Sequence, residues 1–499
     1  MTVPVAFINE NRERFVKELV EYLAIPSVST LPERKADVDR AGEFVRRQLV
    51  GLGFAVQVFP TARHPIVYGE WTNAGAGAPT VLIYGHYDVQ PPDPLGEWRH
   101  GPFEPTIEGG NVVARGSSDN KGQHFAHLKA LEAWMKAEGR LPVNVKVLIE
   151  GEEEIGSPNL EPFVREHQDL LRCDMVVISD TAQFAPGVPA ICYGLRGLVY
   201  REIVVTGPSH DLHSGSYGGS LDNPATVLSR ILSRLHDRNG RVMIPGFYDD
   251  VLPLTPEERR GFAKLGHKDG EYRREIGVPR LAGEKGYTTL ERLWARPTCE
   301  VNGVYGGFMG EGAKTVIPAR AGAKVSMRLV PNQDPKKVVA AFDRFIRSVA
   351  PPTVKVELKT HSAGGPVLVS REGPAVQACA RAIEKGFGQA PVYIREGGSI
   401  PVVRTFGEIM GVPVVLVGFG LPDDRLHSPN EKFSLADFQR GILTSAHILA
   451  EAAAASPEAL RAPPTAAPAA AKAATRRRPK ARARPKARKA GARRKKSRR

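Results

Sequence analysis

The stretch TVLIYGHYD, residues 80–88, is an apolar run that stops on a histidine and an aspartate. Thr80–Tyr84 predicts a buried strand, and it leads directly into Gly85-His86-Tyr87-Asp88. Side chains two apart in an extended chain point the same way, so His86 and Asp88 share one side. Open α/β sheets place their sites at the carboxyl ends of their strands, and the pair sits at such an end. A neutral imidazole can bind a metal through one nitrogen while the other donates to a carboxylate. Taken alone, H-x-D is also what a surface histidine and a loop aspartate look like.

The neighbouring segments supply the sheet. Phe7, Phe15, Val16, Leu19, Val20 and Leu23 recur at helical spacing over residues 6–23. Short apolar runs predict strands at Ala55–Phe59, Ile66–Trp71, Val143–Ile149 and Met175–Ser179, with a helix over Gly122–Ala137. Helices alternating with buried strands define an α/β domain. After Gly194-Leu195-Arg196-Gly197 the style changes: LVYREIVVTG alternates like a strand with one wet face. A helix over Pro224–Leu235 follows, capped by Asp222 or Asn223, then a polar stretch of weak periodicity at 237–300. Strand Lys324–Leu329, helix Pro335–Val349 and strand Val354–Leu358 complete a small open sheet with helices on one face. Helix Pro374–Phe387, strands Val392–Ile394 and Val414–Gly418, and helix Ser434–Ala453 resume the first style. The expected organisation is an α/β domain in two parts, 1–196 and 369–454, interrupted by an inserted α+β domain at 197–368.

The 499 residues carry 69 Lys+Arg against 54 Asp+Glu, a net charge of +15. Sixteen of the basic residues lie between Lys472 and Arg499, where there is no acid, so residues 1–471 hold 53 bases and 54 acids. The folded part is therefore near neutral. The segment 455–499, rich in Ala, Pro, Lys and Arg, has almost nothing to bury and is expected to be disordered. A composition of 42% hydrophobic and 25% charged residues excludes a wholly disordered chain, and no apolar run reaches the ~18 residues of a membrane span. MTVPVAFINENRERF lacks the pattern of a secretory signal, and four scattered cysteines without a CxxC pair read as reduced thiols of a cytoplasmic protein.

Other strand ends carry polar clusters. ARGSSDNKGQ places Asp119 just before a helix, where it reads as an N-cap. His124 and His127 on that helix read as packed or exposed residues rather than a metal pair. VLIEGEEEIGSPN ends a strand on Glu150, Glu152, Glu153 and Glu154. Adjacent carboxylates repel one another unless a cation compensates; the alternative is a solvated acidic turn. MVVISD ends on Asp180, and GLPDDRLHSPNEKF carries His427. Histidine and carboxylate donors of this kind suit Zn²⁺ or Mn²⁺, and the lack of a cysteine cluster excludes a zinc ribbon.

Eight ordered motifs then resemble the M20 metallopeptidases, in the dipeptidase branch that holds cytosolic nonspecific dipeptidase and carnosinase. They are YGHYDVQP, RGSSDNKG, EGEEEIGS, ISD, DLHSGSYGG, GAKTVIPARAGAKVSMRLVPN, REGGSIP and HSPNE, in that order, and the resemblance covers about residues 5–453. The resemblance implies a dinuclear-metal aminopeptidase-like catalytic domain with a lid and dimerisation domain of ferredoxin-like core. It implies two divalent ions, Zn²⁺ first, with Mn²⁺ or Co²⁺ as alternatives. His86 and Asp180 would bind one ion, Glu154 and His427 the other, and Asp119 both, against its reading as a cap. Asp88 would orient His86. Glu153 would be the general base toward a water bridging the ions, with Glu152 an extra. His213 would stabilise the oxyanion in the partner subunit of a homodimer, Arg328 and Ser399 would hold the substrate carboxylate, Thr315 would assist across the dimer, and His361 would line the pocket. The implied reaction is dipeptide hydrolysis in the cytoplasm; an N-acyl-amino-acid amidohydrolase on the same scaffold is the alternative. The basic tail lies outside the resemblance. Without aromatic residues to stack on bases, it points to sequence-blind binding of nucleic acid or another polyanion, and it supports a competing reading as a nucleic-acid-binding protein.

Overall fold

The computed structural model describes residues 2–398 and 400–462; Ser399 and the basic run 472–499 lie outside the described residues. A mixed nine-stranded sheet forms the body. Its strands run in the order Ala55–Phe59, Ile66–Trp71, Asn144–Glu150, Thr80–His86, Met175–Ile178, Val414–Val417, Ala190–Leu195 and Val367–Leu368, with Val392–Glu396 also paired to Ala190–Leu195. The central four, Asn144–Glu150, Thr80–His86, Met175–Ile178 and Val414–Val417, are mutually parallel. Almost every position of these strands is buried, as a sheet covered by helices on both faces requires. One face packs against helices Arg12–Leu23, Lys35–Gly51, Lys121–Glu138, Pro374–Phe387 and Leu435–Ala453, the other against Leu160–Glu166 and Pro401–Met410.

Parallel register decides where the polar strand ends meet. His86 lies opposite Glu150, and Tyr84 lies opposite Ile178, so Asp180 is reached two residues on, at the level of His86. All these ends open on one edge of the sheet.

The chain leaves the body at Leu195 and returns at Gly364–Val367. Between these points a four-stranded antiparallel sheet runs in the order Thr298–Gly306, Arg320–Leu329, Gly197–Thr206, Lys355–Gly364. Gly197–Thr206 alternates buried and half-buried positions, and the covered face packs on helices Pro224–Leu232 and Pro335–Val349. Asn223 caps the first helix through the Ala225 N–H (2.9 Å), and Asp334 caps the second through the Lys336 N–H (2.8 Å). The expected α/β body with an inserted lid is what the chain forms.

Two details differ from the sequence reading. The stretch 237–300 contains helices Pro256–Lys264, Asp269–Glu275 and Thr289–Ala295. Two of them begin with capping boxes, Thr255 with Glu258 and Thr288 with Glu291. Phe262, Leu290 and Ala295 from this stretch pack with Tyr193 of the body, and Glu258 pairs with Arg395. The segment expected to be disordered from residue 455 is ordered at its start. Ser456 caps a short helix, Pro457–Arg461, with Leu460 fully buried and Arg461 paired to Asp174 at 3.1 Å. Among the described residues, no helix is long and apolar enough to cross a membrane.

Candidate metal centre

The edge where the strands end gathers His86, Asp119, Glu154, Asp180 and His427. His86, Asp119 and Asp180 offer ligand atoms within 4.8 Å of one another, and so do Asp119, Glu154 and His427. Asp119 is common to both groups. His86 Nε2 stands 3.2 Å from Asp119 Oδ1 and 3.8 Å from Asp180 Oδ1. His427 Nε2 stands 2.9 Å from Asp119 Oδ2 and 3.4 Å from Glu154 Oε2.

The imidazole of His86 is oriented from behind. Its Nδ1 lies 3.1 Å from the Asp88 carbonyl and 3.3 Å from Asp88 Oδ1, so Nδ1 carries the proton and Nε2 the lone pair. That Nε2 is buried without a hydrogen-bond partner. An orphaned buried lone pair beside two carboxylates is a position for a cation, and two imidazoles with three carboxylates suit Zn²⁺ or Mn²⁺. Asp88 also accepts from the backbone N–H groups of Glu153 (3.2 Å) and Glu154 (3.1 Å), which fixes the turn that bears them.

The electrostatics describe the same crowding. Burial, then the charges of Asp180, Asp119 and Asp88, holds the Glu153 carboxyl well above its usual range. Burial and then Asp119 do the same for Glu154. Burial presses His86 toward neutrality, but Asp119, Asp180 and Asp88 outweigh it and raise its pKa well above the ordinary value. His427 is raised chiefly by its hydrogen bond to Asp119. For Asp119, His427 and His86 outweigh burial and depress its carboxyl. Anions this close and this dry are stabilised by bound cations.

Asp119 is not a helix cap. The helix starts at Lys121 with Asn120 at the N-cap position, and no side chain caps it. Asn120 instead ties strand ends together. Its Nδ2 donates to the Ser179 carbonyl (2.5 Å) and Asp180 Oδ1 (2.8 Å), while its Oδ1 accepts from the His86 N–H (3.3 Å). His124 Nδ1 meets the same Oδ1 at 3.2 Å, so His124 packs behind the site, as read. A Cβ on Gly85 would lie 2.6 Å from His124 Cβ, which is why the strand can approach this helix only with glycine there. Gln90 Nε2 donates to Glu154 Oε2 (2.8 Å). Glu152 turns away: it accepts from Thr61 Oγ1 (2.5 Å), the His64 N–H (2.9 Å) and Asn159 Nδ2 (2.7 Å). Asn120, Gln90 and Glu431 (described below) were missed as contributors, although each lies inside a quoted motif.

The lid residues lie apart. His213, exposed, pairs with Val316 in a two-stranded ribbon, next to Thr315, whose carbonyl accepts from Ser214 N–H at 3.0 Å. His213 Nδ1 accepts from the N–H groups of Gly215 (3.1 Å) and Ser216 (3.2 Å). Arg328 is half-buried in strand Arg320–Leu329, and burial lowers its pKa. Arg196, at the body–lid crossing, is lowered to about 10 by burial and then by Arg328. His361 is exposed on strand Lys355–Gly364, 3.0 Å from Glu202. Among the described residues, no hydrogen bond or ion pair joins His213, Thr315 or His361 to the five-residue cluster.

A covered mixed sheet with a parallel centre, an inserted antiparallel lid and a histidine–carboxylate cluster at the strand ends make a candidate metal centre. Residues 82–451 match Peptidase family M20/M25/M40, and the chain belongs to that family as a metallopeptidase. It is 34% identical over 466 residues to the Cys-Gly metallodipeptidase of Schizosaccharomyces pombe, covering 90% of this chain and 98% of the relative. It is 34% identical over 457 residues to the Beta-Ala-His dipeptidase of Homo sapiens, covering 87% and 89%. Among solved structures, human carnosine dipeptidase 1 is similar with a TM-score of 0.79 at 32% identity, over 91% of this chain and 98% of that one. The M20 family metallo-carboxypeptidase Sso-CP2 of Sulfolobus solfataricus is similar with a TM-score of 0.80 at 36% identity, over 88% and 99%.

Proposed function

We propose that the protein hydrolyses the peptide bond of free dipeptides with two divalent ions, Zn²⁺ first and Mn²⁺ or Co²⁺ as alternatives. The observation that carries this reading is the sharing of Asp119 between two ligand groups, with Glu153 on the turn beside them. The dipeptidase names of the relatives supply the substrate class. His86 and Asp180 would hold one ion, Glu154 and His427 the other, and Asp119 would serve both. When bound, two such ions would supply Lewis acidity, lowering the pKa of a water and polarising the scissile carbonyl. Glu153 takes the proton of that water and returns it to the leaving amine.

His213 donates to the oxyanion in the opposite active site of a homodimer joined through the lid. Its Nδ1 accepts two backbone N–H bonds, so the proton of the neutral ring sits on Nε2, which suits a donor. Arg328 and Ser399 hold the substrate carboxylate, Thr315 assists across the dimer, and His361 lines the pocket from the lid. Four free, buried cysteines fit a reducing compartment, and the enzyme is assigned to the cytoplasm on that footing.

The test is a panel of Cys-Gly, β-Ala-His and their N-acetylated forms, run beside metal analysis of the purified protein. Turnover of the free dipeptides with about two bound ions is expected. Faster turnover of N-acetyl amino acids would instead make it an amidohydrolase. A second property, binding of duplex DNA or another polyanion, is proposed for residues 472–499 on their 16 positive charges.

A further inference from the structure

The two candidate ion positions are held in different ways. His86 and Asp180 stand at the ends of adjacent parallel strands, and Asn120 bonds to both. His427 has no strand beneath it. It sits in a loop where Arg425, His427 and Asn430 adopt φ values of 59°, 60° and 62°, conformations that residues with a Cβ seldom take. Something outside the loop must hold it.

The loop is flanked by two fully buried carboxylates, Asp424 and Glu431, each at 0% exposure. Glu431 accepts from the backbone N–H groups of Gly116 (3.0 Å), Ser118 (2.9 Å) and Asp119 (3.0 Å), and pairs with Arg115 Nη1 at 2.7 Å. Asp424 accepts from Ser118 Oγ (2.8 Å) and the Leu421 N–H (2.7 Å), and from Lys432 Nζ at 3.1 Å. Both carboxylates therefore grip the 115–119 loop that ends on Asp119. Buried carboxylates with this many donors are anchors, because removing the charge leaves several N–H groups without an acceptor.

We infer that Glu431 and Asp424 are positioning residues that clasp the His427 loop to the Asp119 loop, and so set the affinity of the Asp119/Glu154/His427 position separately from that of the His86/Asp119/Asp180 position. The inference rests on the two-ion reading above. Neither carboxylate is within the ligand groups. Asp119 keeps its relation to His86 and Asp180 through Asn120, whereas the His427 loop reaches the Asp119 loop through the two carboxylates; its other tie, Asn430, accepts from the Arg99 N–H (2.8 Å) and donates to the Glu97 carbonyl (2.8 Å), away from the ligands.

The test is calorimetric titration of metal-stripped protein with Mn²⁺, read together with the Mn²⁺ paramagnetic resonance spectrum, in which a coupled pair differs from an isolated ion. The unaltered protein should take two ions. Glu431→Gln should bind the first as before and the second ~10–100-fold more weakly, with the coupled spectrum replaced by that of an isolated ion. Ser118→Ala, which removes one hydrogen bond, should weaken only the second ion, by ~5-fold. Two ions bound with unchanged affinity by folded Glu431→Gln would overturn the clasp, and so would equal weakening of both. If Glu431→Gln does not fold, Ser118→Ala decides by the same split, and its having no effect on the second ion overturns the inference. An unaltered protein that takes a single ion removes the two-ion reading, and the clasp with it.

Discussion

In the body, parallel strands end on one edge, and the register alone brings His86, Glu150 and Asp180 to one level. In the lid, antiparallel strands return the chain at both ends, and His213, Arg328 and His361 fall on separate elements. Parallel connectivity concentrates polar strand ends; antiparallel connectivity disperses them. The body should therefore hold the metal-binding chemistry within one chain, while on the proposed reading His213 would act by reaching the site of a second subunit.

The largest effect should come from the body. Glu153→Gln is expected to lower turnover by ~10²–10⁴-fold while metal content stays unchanged, because the amide keeps the shape and loses the proton acceptor. Glu152→Gln should instead disturb the donors from Thr61, His64 and Asn159, and show as a lower melting temperature. Loss of turnover in the Glu152 variant with retention in the Glu153 variant would shift the assignment by one residue.

The lid should respond differently. His213→Ala is expected to lower kcat by ~10²–10³-fold without changing metal content. The sharper experiment mixes it with Glu153→Gln. If each active site uses its own Glu153 and the other subunit's His213, a mixed dimer has one complete site, and two nearly inactive proteins should regain activity when refolded together. No recovery from verified mixed dimers would place His213 in its own subunit's site or outside catalysis.

How legible each region was follows from the same contrast. The inner body strands are covered on both faces and read as apolar runs, as Ile66–Trp71 does with the expected bounds; the edge strand Ala55–Phe59 also has the expected bounds, although most of it is exposed. The lid edge strand Thr298–Gly306 is mostly exposed and was not read as a strand. Helix Lys35–Gly51 was also missed, although Val38, Ala41, Val45 and Leu49 recur at helical spacing. Its small residues mask the stripe, and Gly42 is small because Tyr87 packs there, 3.2 Å from where a Cβ would stand. The capping boxes at Thr255 and Thr288 were readable signals within 237–300. The five candidate ligands were found through motif resemblance, and the structure brings all five together. Glu431 was not assigned a role because its partners are backbone N–H groups more than 300 residues away in sequence, which no local pattern encodes.

Smaller effects should separate folding from chemistry in the body. Burial pushes the His127 imidazole down to about 3, beside Ser179 Oγ at 2.8 Å. Between the unfolded value near 6.5 and about 3, the unfolded chain binds a proton that the native chain refuses, so stability falls as pH falls through that window. His127→Gln should shift acid unfolding to lower pH, and coincident acid-unfolding curves would remove this role. Leu460→Ala should lower stability by ~2–5 kcal/mol with kcat unchanged, because Leu460 is fully buried in the core but remote from the cluster. Unchanged denaturant midpoints would return the Pro457–Arg461 helix to the tail.

The least effect on hydrolysis is expected from removing residues 463–499. None of the candidate site residues lies there, and residues 1–471 are already near neutral without the basic run. Loss of the run should leave kcat/KM for a dipeptide unchanged. It should also abolish binding to arbitrary duplex DNA at low salt. Binding by the intact chain should weaken steeply as salt rises and show little preference among sequences, since the run has charge for phosphates but no aromatic residue to stack on bases. Equal DNA binding by intact and shortened chains would eliminate the polyanion reading. A large fall in turnover on shortening would mean that the basic run reaches the catalytic body, and the contrast between body and lid would then need a third participant.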